Sequence, residues 1–454
     1  MDAQRLRQTN ADNFDQVVQL LRDLVAIPSV SSQLGHVADM ERSADFLAKR
    51  FRDIGMTTRV VTATDKQTLE ISRPALLAEK AGPAGAPTVL LYAHHDVQPE
   101  GDVAKWNSPP FEATERDGRL YGRGASDDGA GIAVHFAALK NWADDLPVTV
   151  KLFIEGEEEA GSPVFRAFLE ENLDFMKADV IIVADSSNWD VHHPAITVGL
   201  RGVLGLDVTV KTLNHAVHSG AFGGVVMDAP TALARLIATL HDDTGAVAVR
   251  GLKSCRSATV DYPEAELRKQ VGAVEGLELI GRGDLASRLW TQPAIAVIGT
   301  DVPSLENASN TIFPEATGRL SMRIAPGQNP RQAMDALKKH LLENAPFGAE
   351  LHFKELELGP AYSADTESDA IQLMHQALSE AFGVESVNIG LGGSIPFIDT
   401  FHELIPEAQI LVTGVEDPYS NAHSENESVN LSDLRSAALA ETLFFGHFAA
   451  QGQE

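Results

Sequence analysis

The sequence predicts an α/β protein with a mixed, mostly parallel sheet, interrupted by a smaller α+β domain. Three observations carry that prediction. Three short apolar runs, TVLLYAHHD (88–96), VTVKLFIEGEEE (148–159) and DVIIVADSS (179–187), each end in His or acidic residues, and the helical pattern GAGIAVHFAALKNWA lies among them. Continuous apolar runs suit strands buried on both faces of a parallel sheet. From about Arg201 the pattern shifts to shorter alternating segments, and after about residue 360 the α/β texture returns. At roughly 150 residues per domain, a chain of this length holds two or three domains. The expected division is 1–200 with 361–454, and 201–360 as an insert.

The elements follow in order. Residues 14–26, FDQVVQLLRDLVA, place Val17, Val18, Leu21, Leu24 and Val25 on one helical face, and Ile27-Pro28 ends the helix. ADMERSADFLAKRFRDIG reads as a second helix stopped by Gly55, then TTRVVTA as a strand, and AGPAGAP (81–87) as a turn. In the insert, VLGLDVTVKT is a strand, APTALARLIATL a helix, TIFPEATGRLSMRIAP a strand pair or one long strand, NPRQAMDALKKHLL a helix and ELHFKELELGP a strand. Residues 241–300 read as irregular. That order suits helices on one face of an antiparallel sheet. SDAIQLMHQALSEAFG, AQILVTGVED and LSDLRSAALAETLFFGHFA then give helix, strand and helix.

Charge excludes several functions. Lys and Arg total 36 against 64 Asp and Glu, a net −28 that repels phosphate backbones and anionic lipid, so neither nucleic acid nor membrane is an expected partner. No run reaches the ~18 apolar residues of a membrane span, and MDAQRLRQTNADNFDQ has no apolar core for a secretory signal. A cytoplasmic location is expected. The single cysteine, Cys255, allows neither an internal disulfide nor a cysteine metal cluster. A metal site here must use His and carboxylates.

Such residues gather at strand ends: His94, His95 and Asp96, then Glu155 and Glu157–Glu159, then Asp185. In open α/β sheets the ligand crevice lies outside the carboxyl ends of the strands. Any one of these ends could simply start a polar loop; three together point to a site. His94 and Asp96, two apart, share a face of the pleat, where imidazole can bind a metal and the carboxylate can orient it; His95 faces away and reads as structural or as part of the rim. In LYGRGASDDGAG, Asp127 and Asp128 precede a helix, where an Asp pair can cap the helix or bridge two cations ~3.5 to 4 Å apart. Glu157, Glu158 and Glu159 can be a solvated acidic face, or can divide metal binding from proton transfer.

The motifs H-x-D-V-Q-P, L-Y-G-R-G-x-x-D-D, E-G-x-E-E-x-G-S, a strand-end Asp, H-S-G, G-G-S-I-P and A-H-S-E-N-E occur in that order between about residues 85 and 430. Together they resemble the co-catalytic zinc exopeptidase family of carnosinase-like dipeptidases, aminoacylases, glutamate carboxypeptidases and succinyl-diaminopimelate desuccinylase. The resemblance implies a zinc-exopeptidase-like catalytic domain interrupted by a ferredoxin-like lid and dimerisation domain. It implies two Zn²⁺ per chain, with Mn²⁺ or Co²⁺ also fitting the ligands. His94 and Asp185 would hold one ion, Glu159 and His423 the other, and Asp127 would bridge them, with a cis peptide between Asp127 and Asp128. Glu158 would be the general base and Asp96 the partner of His94. His218 would stabilise the oxyanion in the neighbouring subunit of a homodimer. Asn310, Arg323, Gly392, Gly393 and Ser394 would grip the substrate, although Arg323 could also form a surface ion pair. Asp rather than Glu at 185 matches family members acting on peptides with a free amino terminus. The expected activity is metal-dependent hydrolysis of dipeptides or short peptides. The alternative is an N-acyl or N-carbamoyl amino acid amidohydrolase using the same metals. A non-catalytic binding protein would be expected to have lost a ligand or the base, and a two-metal phosphatase sits poorly with a carboxylate-gripping arginine.

Overall fold

In the computed structural model the described residues are 2–255, 258–393 and 396–451. The three apolar runs become neighbours in one six-stranded sheet, ordered Thr57–Val61, Ala75–Lys80, Thr149–Glu155, Thr88–His94, Val180–Val183, Gln409–Val412. The last four run parallel, while the first two pair antiparallel at one edge. Burial on both faces explains why the central strands read as continuous apolar runs. Register aligns His94 with Glu155 and Tyr92 with Val183, so three chain segments leave the sheet at the same edge.

Helix Gly129–Trp142 is buried at all but one position, packed between helices Ala3–Val25 and Leu431–Gln451. The first helix starts eleven residues before the expected 14, capped by Asp2, whose carboxylate accepts from the Arg5 amide. In the added turns only Leu6 and Asn10 are buried, too sparse for a hydrophobic pattern, and Asn10 is held by polar contacts.

Contacts divide the chain into two units: Met1–Val198 with Ala364–Asn388 and Thr400–Glu454, and Gly199–Ser363 with Ile389–Asp399. The second unit carries a four-stranded antiparallel sheet, ordered Ala294–Asp301, Glu315–Ile324, Gly202–Lys211, Glu350–Gly359. With helices Ala229–Ala238 and Pro330–Glu343 the chain order is strand, helix, strand, strand, helix, strand, the ferredoxin-like pattern. Leu204, Leu206, Val208 and Val210 alternate inward and meet Leu233, Leu236, Met334, Leu337 and Leu341 of the helices.

One strand of that sheet lies inside the stretch expected to be irregular. Among the described residues Ala294–Asp301 pairs on one side only; it has a register shift between Val297 and Gly299 and is exposed from Ala296 onward. A strand buried at little more than Ile295 has no inward alternation to read. The same stretch holds short helices Glu264–Gln270 and Leu285–Trp290. TIFPEATGRLSMRIAP holds two strands in different sheets, Thr311–Ile312 paired with Val217–His218 and Glu315–Ile324 in the four-stranded sheet. Among the described residues, no helix is long and apolar enough to cross a membrane.

Candidate active site

His94 is the last residue of its strand, and its side chain is fully buried. Its Nδ1 lies 3.0 Å from the Asp96 carbonyl oxygen and 3.4 Å from Asp96 Oδ1. Its Nε2 points the other way, 3.0 Å from Asp127 Oδ1 and 4.0 Å from Asp185 Oδ1. His95 turns from this edge to Pro74 O, 2.8 Å, and Ser43 Oγ, 3.1 Å, and is structural.

Asp127 arrives on a tight loop. Gly124 takes φ +77°, and a Cβ there would sit 2.5 Å from a Val97 methyl, so only glycine fits without displacement. Fully buried Glu427 fixes this loop, accepting from the amides of Gly124 (3.0 Å), Ser126 (2.9 Å) and Asp127 (3.1 Å) and from Arg123 Nη1 (2.6 Å). Asp128 does cap the following helix, accepting from Gly131 N at 3.1 Å, and also accepts from His94 N at 3.2 Å. The peptide between Asp127 and Asp128 is cis. Capping by Asp128 leaves Asp127 free to face the site.

The two oxygens of Asp127 divide. Oδ1 faces His94, while Oδ2 lies 2.8 Å from His423 Nε2, itself 3.2 Å from Glu159 Oε2. Two donor groups result, His94 with Asp127 and Asp185, and Asp127 with Glu159 and His423, each with ligand atoms within 4.8 Å of one another. His423 adopts φ +60°, within a loop where Asn421 and Asn426 are also left-handed. Such backbone costs energy and persists where surrounding structure holds it.

The glutamate run divides as well. Glu157 turns away and accepts from the amides of Arg73 (2.9 Å) and Val164 (3.3 Å). The Asp96 carboxylate receives the amides of Glu158 (3.1 Å) and Glu159 (3.0 Å), so it sets the glutamates as well as His94. Gln98 donates to Glu159 from its amide (3.2 Å) and from Nε2 (2.7 Å). Burial, only partly offset by His94, pushes the Glu158 carboxyl up to about 9, with Asp185, Glu159 and Asp96 adding to the rise.

Carboxylates outnumber imidazoles at this edge. Asp127, Glu158, Glu159 and Asp185 face two imidazoles, and a fifth acid, Glu416, receives the Ser126 hydroxyl at 3.3 Å. Burial and then Asp127 and Asp185 push Glu416 up, and burial with the neighbouring acids pushes Asp185 up to about 7. His423 is driven up to about 11 by its hydrogen bonds to Asp127 and Glu159. A buried excess of carboxylates around imidazole nitrogens is the donor set of hard or borderline divalent cations, and two of them fit the paired groups.

The remaining expected site residues belong to the second unit. His218 ends the short strand Val217–His218, opposite Thr311, and its exposed ring accepts from Gly220 N at 3.0 Å. Ser219 N donates to Asn310 O at 3.0 Å, bringing His218 and Asn310 side by side. Arg323 lies opposite Val203 on the sheet, and no acid pairs with it among the described residues. Gly392 O accepts from Arg201 Nε at 3.3 Å, Gly393 follows it, exposed, and Ser394 lies outside the described residues. Gln98, Arg123, Glu416 and Glu427 also reach this site, through contacts that no sequence pattern marks.

Residues 90–444 match the model of Peptidase family M20/M25/M40. The chain is 33% identical over 443 residues to the cysteinylglycine-S-conjugate dipeptidase of Corynebacterium striatum, covering 95% of each. It is 28% identical over 445 residues to the beta-Ala-His dipeptidase of Rattus norvegicus, covering 92% of this chain and 89% of that one. The crystal structure of human carnosine dipeptidase 1 superposes with a TM-score of 0.77 at 26% identity, covering 99% of each chain. A match over most of the chain, with His, Asp and Glu from five separate segments meeting at one sheet edge, places the protein in peptidase family M20/M25/M40.

Proposed function

We propose that the protein is a metal-dependent dipeptidase, hydrolysing the amide bond of dipeptides or short peptides with a free amino terminus. The observation that carries this is Asp127, one carboxylate shared by two His-containing donor groups. The dipeptidase names of relatives spanning over nine-tenths of this chain support the substrate class.

His94 and Asp185 would hold one divalent cation, Glu159 and His423 the second, with Asp127 between. Zinc suits this mixture of imidazole and carboxylate, and manganese or cobalt fits the same ligands. Bound there, such ions lower the pKa of water and polarise an amide carbonyl. With the cations bound, their charge would oppose the burial that raises Glu158 and keep it ionised, so that Glu158 takes the proton of the water whose oxygen attacks the carbonyl carbon and delivers it to the amine nitrogen as the C–N bond breaks. Asp96 keeps His94 and the Glu158–Glu159 backbone aimed.

In the same reading, residues 201–360 form a lid and dimerisation domain inserted between 1–200 and 361–454. His218 donates to the oxyanion of the partner subunit's substrate. Arg323 takes the substrate carboxylate, and Asn310, Gly392, Gly393 and Ser394 complete the grip. A homodimer is supported by the free edge of strand Ala294–Asp301, where Val297 and Ile298 are exposed. A cytoplasmic location accords with the single exposed thiol, Cys255.

The test is a mass-spectrometric assay of metal-loaded protein against free dipeptides and their N-acetylated counterparts, with Glu158→Ala alongside. Cleavage of the free dipeptides alone, lost in Glu158→Ala, is expected. Cleavage of the blocked substrates alone would assign the protein to N-acyl amino acid hydrolysis instead.

A further inference from the structure

We infer that Arg201 is a second carboxylate-recognising arginine, acting beside Arg323 so that the pair selects substrates with a free C-terminal carboxylate. The inference rests on the dipeptidase reading and adds a residue to it. Arg201 is only 8% exposed, yet among the described residues no acid pairs with it or with Arg323. A buried guanidinium without an acid is costly, because its lost hydration is not replaced by a counter-charge. Paired arginines elsewhere in this chain show the usual arrangement: Arg123 meets Glu427 at 2.6 Å and Arg119 meets Asp417 at 2.7 Å.

Arg201 immediately precedes strand Gly202–Lys211, in which Gly202 lies opposite Ile324 and Val203 opposite Arg323. Arg201 thus stands just before the Val203–Arg323 pair, near enough that the charge of Arg323 acts on it. Burial lowers the Arg201 guanidinium to about 10, and the charge of Arg323 adds to that fall. Two like charges are thus held together in a chain of net −28.

The neighbouring loop is shaped around the guanidinium. Arg201 N donates to Leu391 O at 3.3 Å, and Nε donates to Gly392 O at 3.3 Å. A Cβ on residue 392 would lie 2.8 Å from Arg201 Nη2, so the loop backbone runs close beside the guanidinium. With Nε anchored on the loop, the Nη groups keep donors for a ligand. A carboxylate supplies the missing charge and two acceptor oxygens, which match two guanidinium groups.

The test compares a dipeptide with its C-terminal amide for the wild type, Arg201→Met, Arg201→Lys and Arg323→Met. The wild type is expected to favour the free acid. Arg201→Met should lose roughly 10- to 100-fold in kcat/KM on the acid, mostly through KM, and far less on the amide, collapsing the preference. Arg201→Lys, which keeps charge but not the fork, should fall between and serves as the decisive variant if Arg201→Met does not fold. Equal losses on acid and amide would mean that Arg201 only props the Gly392 loop, and an intact preference would remove it from recognition. If the wild type cleaves no dipeptide, the functional reading fails, and calorimetric titration with a free amino acid and its amide decides Arg201. Tighter binding of the acid by the wild type, lost in Arg201→Met, supports the site; equal binding of acid and amide overturns it.

Discussion

The two units hold charge in opposite ways. At the sheet edge of the first, acids outnumber imidazoles, and nearly every functional side chain is fixed by another: Asp96 by two amides, Glu159 by Gln98, Asp127 through the amides held by Glu427. In the second, Arg201 and Arg323 have no acid partner among the described residues, and His218 is exposed. The first gathers donors of the kind that suit a divalent cation, whereas the second holds two guanidinium groups with no acid beside them among the described residues.

The largest effect should come from the carboxylate common to both donor groups. Asp127→Ala is expected to reduce the metal content well below two ions per chain and to abolish turnover, measured by elemental analysis on dialysed protein. Retention of two tightly held ions would break the contrast at its centre, because the two groups would then be independent. Glu158→Ala should keep its metal yet lose about 10²- to 10⁴-fold in turnover. Full activity would remove Glu158 as the base.

His218→Ala asks whether the second unit takes part in the chemistry. A loss of about 10²- to 10³-fold in kcat, with unchanged metal content, is the size of effect seen for oxyanion donors. An unaltered kcat would leave the second unit with binding alone. Glu427→Gln is subtler. The amide can still accept at one oxygen, but its NH₂ then faces backbone donors, so the loop under Asp127 should loosen and metal affinity fall about 10- to 100-fold. Competition with a chelator measures this, and unchanged affinity would show that the loop holds itself.

How far the sequence disclosed this depends on what a residue does. His94, Glu159 and Asp185, which the structure gathers with Asp127 and His423, could be picked out because they follow apolar strands; Asp127 stood out in its Gly-rich loop, and His423 only through a motif of the family resemblance. Glu427, Gln98 and Glu416 were opaque because their partners are backbone amides or neighbouring acids, brought together only by folding. The inner strands were legible from burial on both faces. Strand Ala294–Asp301 was hidden because an exposed edge imposes no alternation, and the start of the first helix was hidden because it buries Asn10 where a pattern would expect an apolar residue.

The smallest effect is one of stability, and it asks whether the acidic character of the edge costs energy where no cation is placed. Glu155 lies at the end of its strand, accepts from the Tyr92 hydroxyl at 2.6 Å and is pushed up to about 8, chiefly by burial. Its ordinary value is 4.5, so below that pH the group is protonated whether the chain is folded or not, and the folded state has its full advantage. As pH rises from about 4.5 to about 8 the unfolded chain releases this proton while the folded one keeps it, and stability falls; above about 8 the loss is complete. Glu155→Gln retains an acceptor for Tyr92 and has no proton to lose. Melting curves of wild type and variant should therefore coincide near pH 4.5 and separate toward pH 8, the variant being more stable by a few degrees, equivalent to about 1–3 kcal/mol. Parallel curves across that range would mean that Glu155 is ionised in the folded protein near neutrality, and that the acidic edge is neutralised by means other than protonation.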